Sequence, residues 1–165
     1  MILPPYPSFP GLSGERISLR EIHREDMEAL LEISYYDAVR AATVQQAVRM
    51  QDRIHRDYLT GNSIHWGILD NGTGKIVGTC GYYRGFDKGE GELGCVLLQA
   101  YRGQGYMTAA LLLAIDFGWQ VIGLKRIRAV TSRQNQKAIQ LLLRLNFAQV
   151  PDPDNEELEF ALEPY

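Results

Sequence analysis

Arg102-Gly103-Gln104-Gly105-Tyr106-Met107-Thr108 is the stretch that decides the fold. A strand-like segment from Gly91 to Leu98 precedes it, and an apolar helical run begins at Tyr106. The two glycines therefore lie on a strand-to-helix turn, where they let the backbone bend tightly with its N–H groups facing one concavity. The positive end of the following helix adds its dipole at the same place. This pattern predicts a binding site for a pyrophosphate.

Length and composition limit what such a site can belong to. The chain has 165 residues, of which 45% are hydrophobic and 22% charged, which predicts a single domain over residues 1–165 with a real core. Residues 1–11 are rich in proline and are expected to lie on the surface as an arm. The net charge is −3 and the cations are scattered, which argues against nucleic acid or an anionic membrane as a partner.

The apolar run from Met107 to Leu124 is interrupted by Asp116 and Gln120, so it predicts a buried helix and not a membrane span. The N-terminus has no basic region ahead of an apolar stretch, so no signal peptide is predicted and a cytoplasmic protein is expected. Cys80 and Cys95 have no metal-ligand spacing and are expected to be small buried apolar residues. Since His23, His55 and His65 also lack ligand spacing, we expect surface or hydrogen-bonded histidines and no metal.

The remaining pattern alternates strands and helices. Strands are predicted at 16–21, 64–70, 75–84, 92–98, 126–131, 147–150 and 157–162, and helices at 25–34, from Thr43 to Thr60, from Tyr106, and at 135–145. Thr43 and Gln46 have the spacing of a capping box, and Gly61 ends that helix. The central strands form an antiparallel meander joined by Asn71-Gly72-Thr73-Gly74 and by a glycine-rich turn near Asp87.

In these residues the chain resembles the GCN5-related N-acetyltransferases, the GNAT family, and within it the branch that acetylates ribosomal-protein N-termini. The family signature is Arg or Gln, two residues, Gly, one residue, then Gly or Ala. Arg102 and Gly105 match it, while Met107 departs. The signature is short, but here it follows a strand carrying Glu92 and precedes Asn135 at the expected distance. A nucleotide P-loop is disfavoured because no Gly-Lys-Ser/Thr follows, and a dinucleotide site lacks its third small residue.

The resemblance implies a mixed α/β domain with a mostly antiparallel, twisted sheet of about six or seven strands, splayed at the cofactor site and flanked by about four helices. It implies bound acetyl-coenzyme A as cosubstrate, with its pantetheine arm replacing a missing strand. The implied cofactor-binding residues are Cys95, Val96, Leu97, Arg102, Gly103, Gln104, Gly105, Tyr106, Met107, Thr108 and Asn135. By the same analogy, the N–H of Val96 or Leu97 polarises the thioester carbonyl.

Several of these positions have a second interpretation. Gly103 and Gly105 would also serve simply to end a strand, and Asn135 to cap its helix. Arg133 and Lys137 fit either contact with the ribose phosphate of the cofactor or solvated surface. The acidic stretch from Asp152 to Glu159 fits either attraction of a cationic acceptor or a solvated loop.

Glu92 is the candidate general base, because its strand would carry the thioester and it shares a face with Gly94 and Val96. An exposed carboxylate beside a turn is the alternative. Many family members place a Tyr seven residues after the Asn as the acid that protonates the leaving thiolate, and some members of this branch place a Ser three residues after it. Here these positions hold Leu142 and Ala138, so the sequence identifies no leaving-group acid.

A site poor in acids and bases favours an acceptor that is easy to deprotonate. Neutralising a lysine ammonium at pH 7 costs about 4.6 kcal/mol, against about 1 kcal/mol for an α-amino group. The predicted function is therefore acetyl transfer to a primary amine, foremost a peptide or protein α-amino group, by direct attack in a ternary complex of a monomer or homodimer. A small amine is the other acceptor that the sequence leaves open. A non-catalytic acyl-CoA sensor is the alternative. The acceptor pocket would be walled by aromatic residues that otherwise pack in the core: Tyr35, Tyr36, Trp66, Tyr82, Tyr83 and Phe86.

Overall fold

Eight strands form the central sheet of the computed structural model, which describes residues 1–152 and 154–164. In chain order they are β1 (Leu12–Ser13), β2 (Ile17–Glu21), β5 (Ile64–Asp70), β6 (Ile76–Tyr83), β7 (Glu90–Leu97), β8 (Arg126–Ser132), β9 (Ala148–Val150) and β10 (Glu157–Leu162), while β3 (Tyr35–Tyr36) and β4 (Val39–Arg40) form a separate hairpin. Across the sheet the order is β1-β2-β5-β6-β7-β8-β10-β9. Every neighbouring pair is antiparallel except β7 and β8, which run parallel.

Three α-helices accompany the sheet: α1 (Val44–Leu59), α2 (Tyr106–Phe117) and α3 (Gln136–Arg144). The mixed α/β, mostly antiparallel fold predicted from the sequence is confirmed. Among the described residues the sheet has eight strands where six or seven were expected, and three α-helices where about four were expected. Position 153, within the predicted acidic stretch, lies outside the described residues.

The missing helix is the one predicted over residues 25–34, and that prediction is wrong. The segment forms two short 3₁₀ turns, Arg24–Asp26 and Leu31–Ile33. Its buried apolar residues are Met27, Leu30 and Ile33, and only Ile33 lies within a 3₁₀ turn. Residues 27–30 between the two turns form no helix, so the segment buries these side chains without a continuous α-helix.

Helix α1 begins as its capping residues predict. The Thr43 side chain accepts a hydrogen bond from the Gln46 N–H at 3.1 Å, and Gln46 Oε1 accepts one from the Ala42 N–H at 2.7 Å. The Gln46 side chain thus reaches one residue further back than in the usual capping box. The helix ends at Leu59, and Gly61 follows in the left-handed region with φ +82°.

Helix α2 packs on one face of the sheet, and its apolar run is buried in part, since Leu112 and Val121 are exposed. Its buried residues include Ala110, Ala114 and Phe117, and the Ala114 carbonyl accepts a hydrogen bond from the Tyr82 hydroxyl at 2.7 Å. A π-helical turn, Gly118–Ile122, continues it. No helix in the described residues is long and apolar enough to cross a membrane.

Most residues of the N-terminal arm, 1–11, are exposed or partly buried, and the arm is anchored to the core. The Tyr6 ring meets Phe117 edge to face at 5.8 Å, and Phe9 packs on Tyr58. The indole of Trp66, itself fully buried, donates to the Pro10 carbonyl at 2.9 Å. The arm therefore covers apolar side chains that strand β5 and helix α2 would otherwise expose.

Strand β7 is paired unequally along its two edges. Towards β6 it pairs over six residues, from Glu92 to Leu97, whereas towards β8 it pairs only over Glu90, Gly91 and Glu92. Beyond Glu92 the two parallel strands separate, so residues 93–97 face an opening in the sheet. This opening, which the resemblance implied, is the feature around which the candidate site is built.

Candidate active site

Backbone direction along β7 decides which main-chain groups face the opening. The Leu98 N–H donates to the Val77 carbonyl at 2.9 Å, and the Val96 carbonyl also points towards β6, where it would meet a Cβ on Gly78. Successive residues of a strand alternate in direction, so Leu93, Cys95 and Leu97 direct their main-chain groups towards β8. Of the two amides predicted to polarise a carbonyl, that of Leu97 therefore has the better orientation.

The side chains of β7 point alternately to the two faces of the sheet. Leu93 and Leu97 are buried in the core that contains α2, whereas Glu92, Gly94 and Val96 line a cavity on the opposite face. Val96 is 41% exposed and the Glu92 side chain 19% exposed. The predicted common face of Glu92, Gly94 and Val96 is present.

The turn predicted to hold a pyrophosphate follows at the end of β7. Gly103 and Gly105 have φ of +73° and +85°, and Gly105 is the N-cap of α2. A Cβ on Gly103 would meet nothing within 4 Å, so this side of the turn is open. The first intrahelical bond runs from the Ala109 N–H to the Gly105 carbonyl, which leaves the N–H groups of residues 106–108 without helical acceptors.

The other predicted residues of the turn hold it in shape. Arg102 Nε donates to the Leu97 carbonyl at 3.3 Å, and Gln104 Nε2 donates to the Ala100 carbonyl at 3.1 Å. Tyr106 is buried, while Met107 and Thr108 are half-buried in the first helical turn. Open amides, positive φ and a helix N-terminus together fit a diphosphate group.

Arg16 is a component of this turn that the sequence did not reveal. Its guanidinium donates to the Gln104 carbonyl and lies 4.2 Å from the centre of the Tyr106 ring. A Cβ on Gly105 would approach Arg16 Nη1 to 2.9 Å. Arg16 lies 88 to 90 positions before these partners, so no local pattern could indicate the contact.

Asn135 lies at the N-terminus of α3 and caps it. Its Oδ1 accepts from the Ala138 N–H at 3.2 Å. Since β7 and β8 are parallel and are followed by α2 and α3, both helix N-termini lie at the same edge of the sheet, beside the opening. Of the two nearby cations, Arg133 donates to the Asn155 carbonyl at 2.8 and 3.2 Å, and Lys137 is exposed.

The cavity in front of β7 has a volume of about 760 Å³. It runs from the segment after β2, past the β3–β4 hairpin and α1, to Val96 on β7, Val130 on β8 and Glu157 on β10. The cavity therefore reaches the edges of the opening. Of the six aromatic residues predicted to wall it, Tyr35, Tyr36 and Tyr83 line it, whereas Trp66, Tyr82 and Phe86 are buried in the core.

Glu92 lies in this cavity in an ion pair. Its Oε1 accepts from Arg84 Nη1 at 2.6 Å, and the Arg84 side chain is 76% exposed. Other carboxylates on the cavity wall are Asp37, Asp57 and Glu157, and Asp57 accepts from the Tyr36 hydroxyl at 3.1 Å. The cavity wall thus carries four carboxylates, and one of them, Glu92, is paired with Arg84.

Two polar groups on the cavity wall lack partners, which the sequence did not predict. Ser63 Oγ and His65 Nδ1 are shielded from solvent and have no hydrogen-bond partner among the described residues. Burial lowers the pKa of His65 to about 4, so its imidazole is neutral at pH 7. The expectation of a surface or hydrogen-bonded histidine is therefore wrong for His65, while His23 and His55 are exposed.

Cys80 and Cys95 face each other across β6 and β7, and both are free thiols. Cys80 is buried as expected, but Cys95 is only partly buried. The neighbouring Cys95 and burial hold the pKa of the Cys80 thiol well above its usual value. Among the described residues no cluster of His, Cys, Asp and Glu has the arrangement of a metal site.

Comparison with known proteins identifies the family. The sequence matches the model of the acetyltransferase (GNAT) domain over residues 16–148. The chain belongs to the GNAT acetyltransferase family. It is 28% identical over 147 residues to an uncharacterized N-acetyltransferase, YoaA, of Bacillus subtilis, with 84% of this chain and 83% of that protein covered.

Solved structures share the fold at lower identity. The ribosomal-protein-S5-alanine acetyltransferase of Vibrio fischeri superposes with a TM-score of 0.76 at 19% identity, covering 93% of this chain and 96% of that one. A dodecameric spermidine N-acetyltransferase of Vibrio cholerae gives a TM-score of 0.75 at 13% identity, with 91% and 95% covered. The GNAT family uses acetyl-CoA as cosubstrate, and this chain is an acetyl-CoA-dependent acetyltransferase.

Proposed function

We propose that this protein transfers the acetyl group of acetyl-CoA to the α-amino group of a peptide or protein, by direct attack with both substrates bound. The observation that carries the proposal is the continuity of the cavity with the opening beside β7, between Val96 and Val130. An amine in the cavity and a thioester in the opening would meet there without a covalent enzyme intermediate. Holding the two together supplies several kcal/mol of the barrier.

The donor side rests on the turn and on β7. Acetyl-CoA supplies an activated acetyl group on a thiol leaving group. The amides of residues 103–108 and the N-terminus of α2 would hold its diphosphate, with Asn135 nearby on α3. The Leu97 N–H, or that of Cys95, would donate to the acetyl carbonyl oxygen, since both point towards β8.

The acceptor side rests on the chemistry of the cavity wall. Asp37, Asp57 and Glu157 favour a cationic acceptor that arrives as an ammonium. Glu92 would take the proton of that ammonium directly or through a water. An α-amino group needs only about 1 kcal/mol to become neutral at pH 7, so it suits a site with one candidate base better than lysine does.

The same function covers the whole chain as one acetyltransferase domain. Strands β1 and β10 lie in one sheet although they bracket the residues that match the family, and the N-terminal arm packs on the same core. We therefore include residues 1–165 in the proposal.

The test is a thiol-release assay with acetyl-CoA and three acceptor classes: peptides with free Ala or Ser N-termini, Nα-blocked lysine peptides, and spermidine. We expect the N-terminal peptides to react with the highest kcat/KM, and mass spectrometry to place the acetyl group on the α-nitrogen. Faster reaction of spermidine or of a lysine side chain would overturn the choice of acceptor. Tight binding of CoA without thiol release on any amine would favour an acyl-CoA sensor, which the absence of an acid at Leu142 makes the second candidate.

A further inference from the structure

The cavity floor is built from matching positions of three strands. Pairing of β5, β6 and β7 aligns His65 with Gly81 and Gly94, and it aligns Tyr83 with Glu92 in the next row. All five residues lie on one face, because strand residues two apart share a face. Glycine at two adjacent positions of one row leaves a trough in the floor.

Two rings fill that trough. The Tyr83 ring lies over Gly94, since a Cβ there would be 2.9 Å from Tyr83 Cε2 and 3.9 Å from Cζ. The imidazole of His65 lies over Gly81, 3.3 Å from the position of a Cβ. The two rings meet at 5.5 Å between centres with an interplanar angle of 61°. His65 thus supports one side of the Tyr83 ring while Gly94 accommodates the other.

This packing directs Tyr83 towards the reactive part of β7. The phenol carbon that bears the hydroxyl is over Gly94, one residue from Cys95 and three from Leu97. None of the hydrogen bonds within residues 1–152 and 154–164 uses the Tyr83 hydroxyl. Burial raises the pKa of this phenol well above its usual value, with the neighbouring thiols and Glu92 acting in the same direction and Arg84 against it. The hydroxyl therefore stays protonated at neutral pH and is a donor.

The positions at which family members place a leaving-group acid, by contrast, hold no such acid in this chain. Leu142 is buried in the hydrophobic core, and Ala138 has no proton to give. We propose that Tyr83, on β6, is the catalytic acid that protonates the leaving thiolate; the inference rests on the proposed acetyl transfer. Tyr83 would thus reach the leaving sulfur from the side of the opening that lies opposite α3.

Acetyl transfer forms one bond to the amine and breaks one bond of the thioester. The amine nitrogen forms a C–N bond with the acetyl carbon, and the C–S bond breaks with its electron pair on sulfur. Tyr83 gives its hydroxyl proton to that sulfur. The attacking nitrogen carries one extra proton once the C–N bond has formed, and it passes that proton to the phenolate directly or through water. Glu92 releases to solvent the proton that it took from the ammonium. The products are an N-acetyl amide and free CoA thiol, and Tyr83 is unchanged.

The test is Tyr83→Phe, which keeps the ring over Gly94 and removes only the hydroxyl. We expect kcat to fall about 100-fold, with KM for acetyl-CoA and the calorimetric affinity for CoA unchanged. The solvent deuterium isotope effect on kcat should also change, because a proton transfer to sulfur would no longer be assisted. The matched control is Tyr6→Phe, which removes a phenol hydroxyl outside the cavity, one that donates to the Ile2 carbonyl at 2.8 Å, and should leave kcat nearly unchanged.

A second variant tests whether Gly94 positions the Tyr83 ring. Gly94→Ala places a methyl group against Tyr83 Cε2 and should lower kcat by displacing the phenol, but it should add little to Tyr83→Phe. Wild-type kcat in Tyr83→Phe, with the parent enzyme active, would overturn the role of Tyr83 alone. Absence of thiol release by the parent protein with every amine would instead overturn the proposed function.

Discussion

The turn before α2 and the cavity in front of β7 both adjoin the same strand, yet they are built differently. The turn is a run of neighbours, Arg102 to Thr108, whose glycines and helix start are local features. The cavity floor is assembled from β5, β6 and β7, so its residues are up to 29 positions apart, from His65 to Gly94. A local site can be recognised by a short motif, whereas an assembled one depends on strand register.

This comparison predicts its largest effect at Gly105. In Gly105→Asp the new carboxylate would face both Arg16 and the site of the diphosphate. Aspartate tolerates the left-handed region and caps helices well, so we expect a folded protein. Like charges in contact cost several kcal/mol, so the affinity for CoA should fall at least about 100-fold in calorimetry.

The control is Gly74→Asp, the same substitution at a glycine of similar φ, +71°, in the β5–β6 turn, where a Cβ meets nothing within 4 Å. It should leave CoA affinity intact. Unchanged affinity in Gly105→Asp would mean that the turn does not hold the diphosphate.

On the cavity side, Glu92→Gln tests the candidate base. Removing the proton acceptor should lower kcat/KM for the amine about 100-fold while the affinity for CoA stays the same, since the turn is untouched. Steady-state kinetics and calorimetry measure the two quantities. Glu90→Gln is the matched control on the same strand, where Glu90 pairs with Arg126 at 3.5 Å. Equal kinetics for the two variants would mean that Glu92 is not the base and serves only as the ion-pair partner of Arg84.

His65 makes the free energy of unfolding depend on pH. Its folded pKa of about 4 lies below the unfolded value of about 6.5, so the unfolded state binds the extra proton and stability is lost as pH falls from 6.5 towards 4. Between pH 7 and pH 5 the free energy of unfolding should drop by about 2 kcal/mol through this group. Urea unfolding of the wild type and of His65→Phe at both pH values measures the difference. A pH dependence that is the same in both proteins would show that His65 is not the cause.

The smallest effect separates the two roles of Asn135 beside the turn. Asn135→Ala should lower the free energy of unfolding by about 1 kcal/mol, because α3 loses its cap. Asn135→Ser retains a capping hydroxyl and should restore that stability. If Asn135 also contacts the cofactor, both variants should weaken CoA binding about fivefold, as loss of one hydrogen bond does. Wild-type CoA affinity in both variants would leave Asn135 as a helix cap only.

The pattern of right and wrong expectations follows the same division. The strands of the meander, the cap at Thr43 and the helix after Gly105 were predicted because each depends on neighbouring residues. The segment 25–34 was misassigned because the burial of its apolar side chains is fixed by packing against the rest of the fold. Arg16 and the unsatisfied Nδ1 of His65 were missed for a related reason, since their surroundings come from distant strands.

By itself the sequence determined the family, the bend between β7 and α2, and most of the strands along the chain, because backbone conformation at glycines, caps and alternating side chains is a local matter. Only the tertiary structure decided which edge of β7 stays open, which main-chain groups face that opening, and which side chains share the cavity. Those outcomes depend on β7 and β8 separating after Glu92 and on the register that aligns Gly81 with Gly94. Neither the separation of the strands nor their register can be recognised in a short stretch of residues, because pairing between strands is set by the whole sheet.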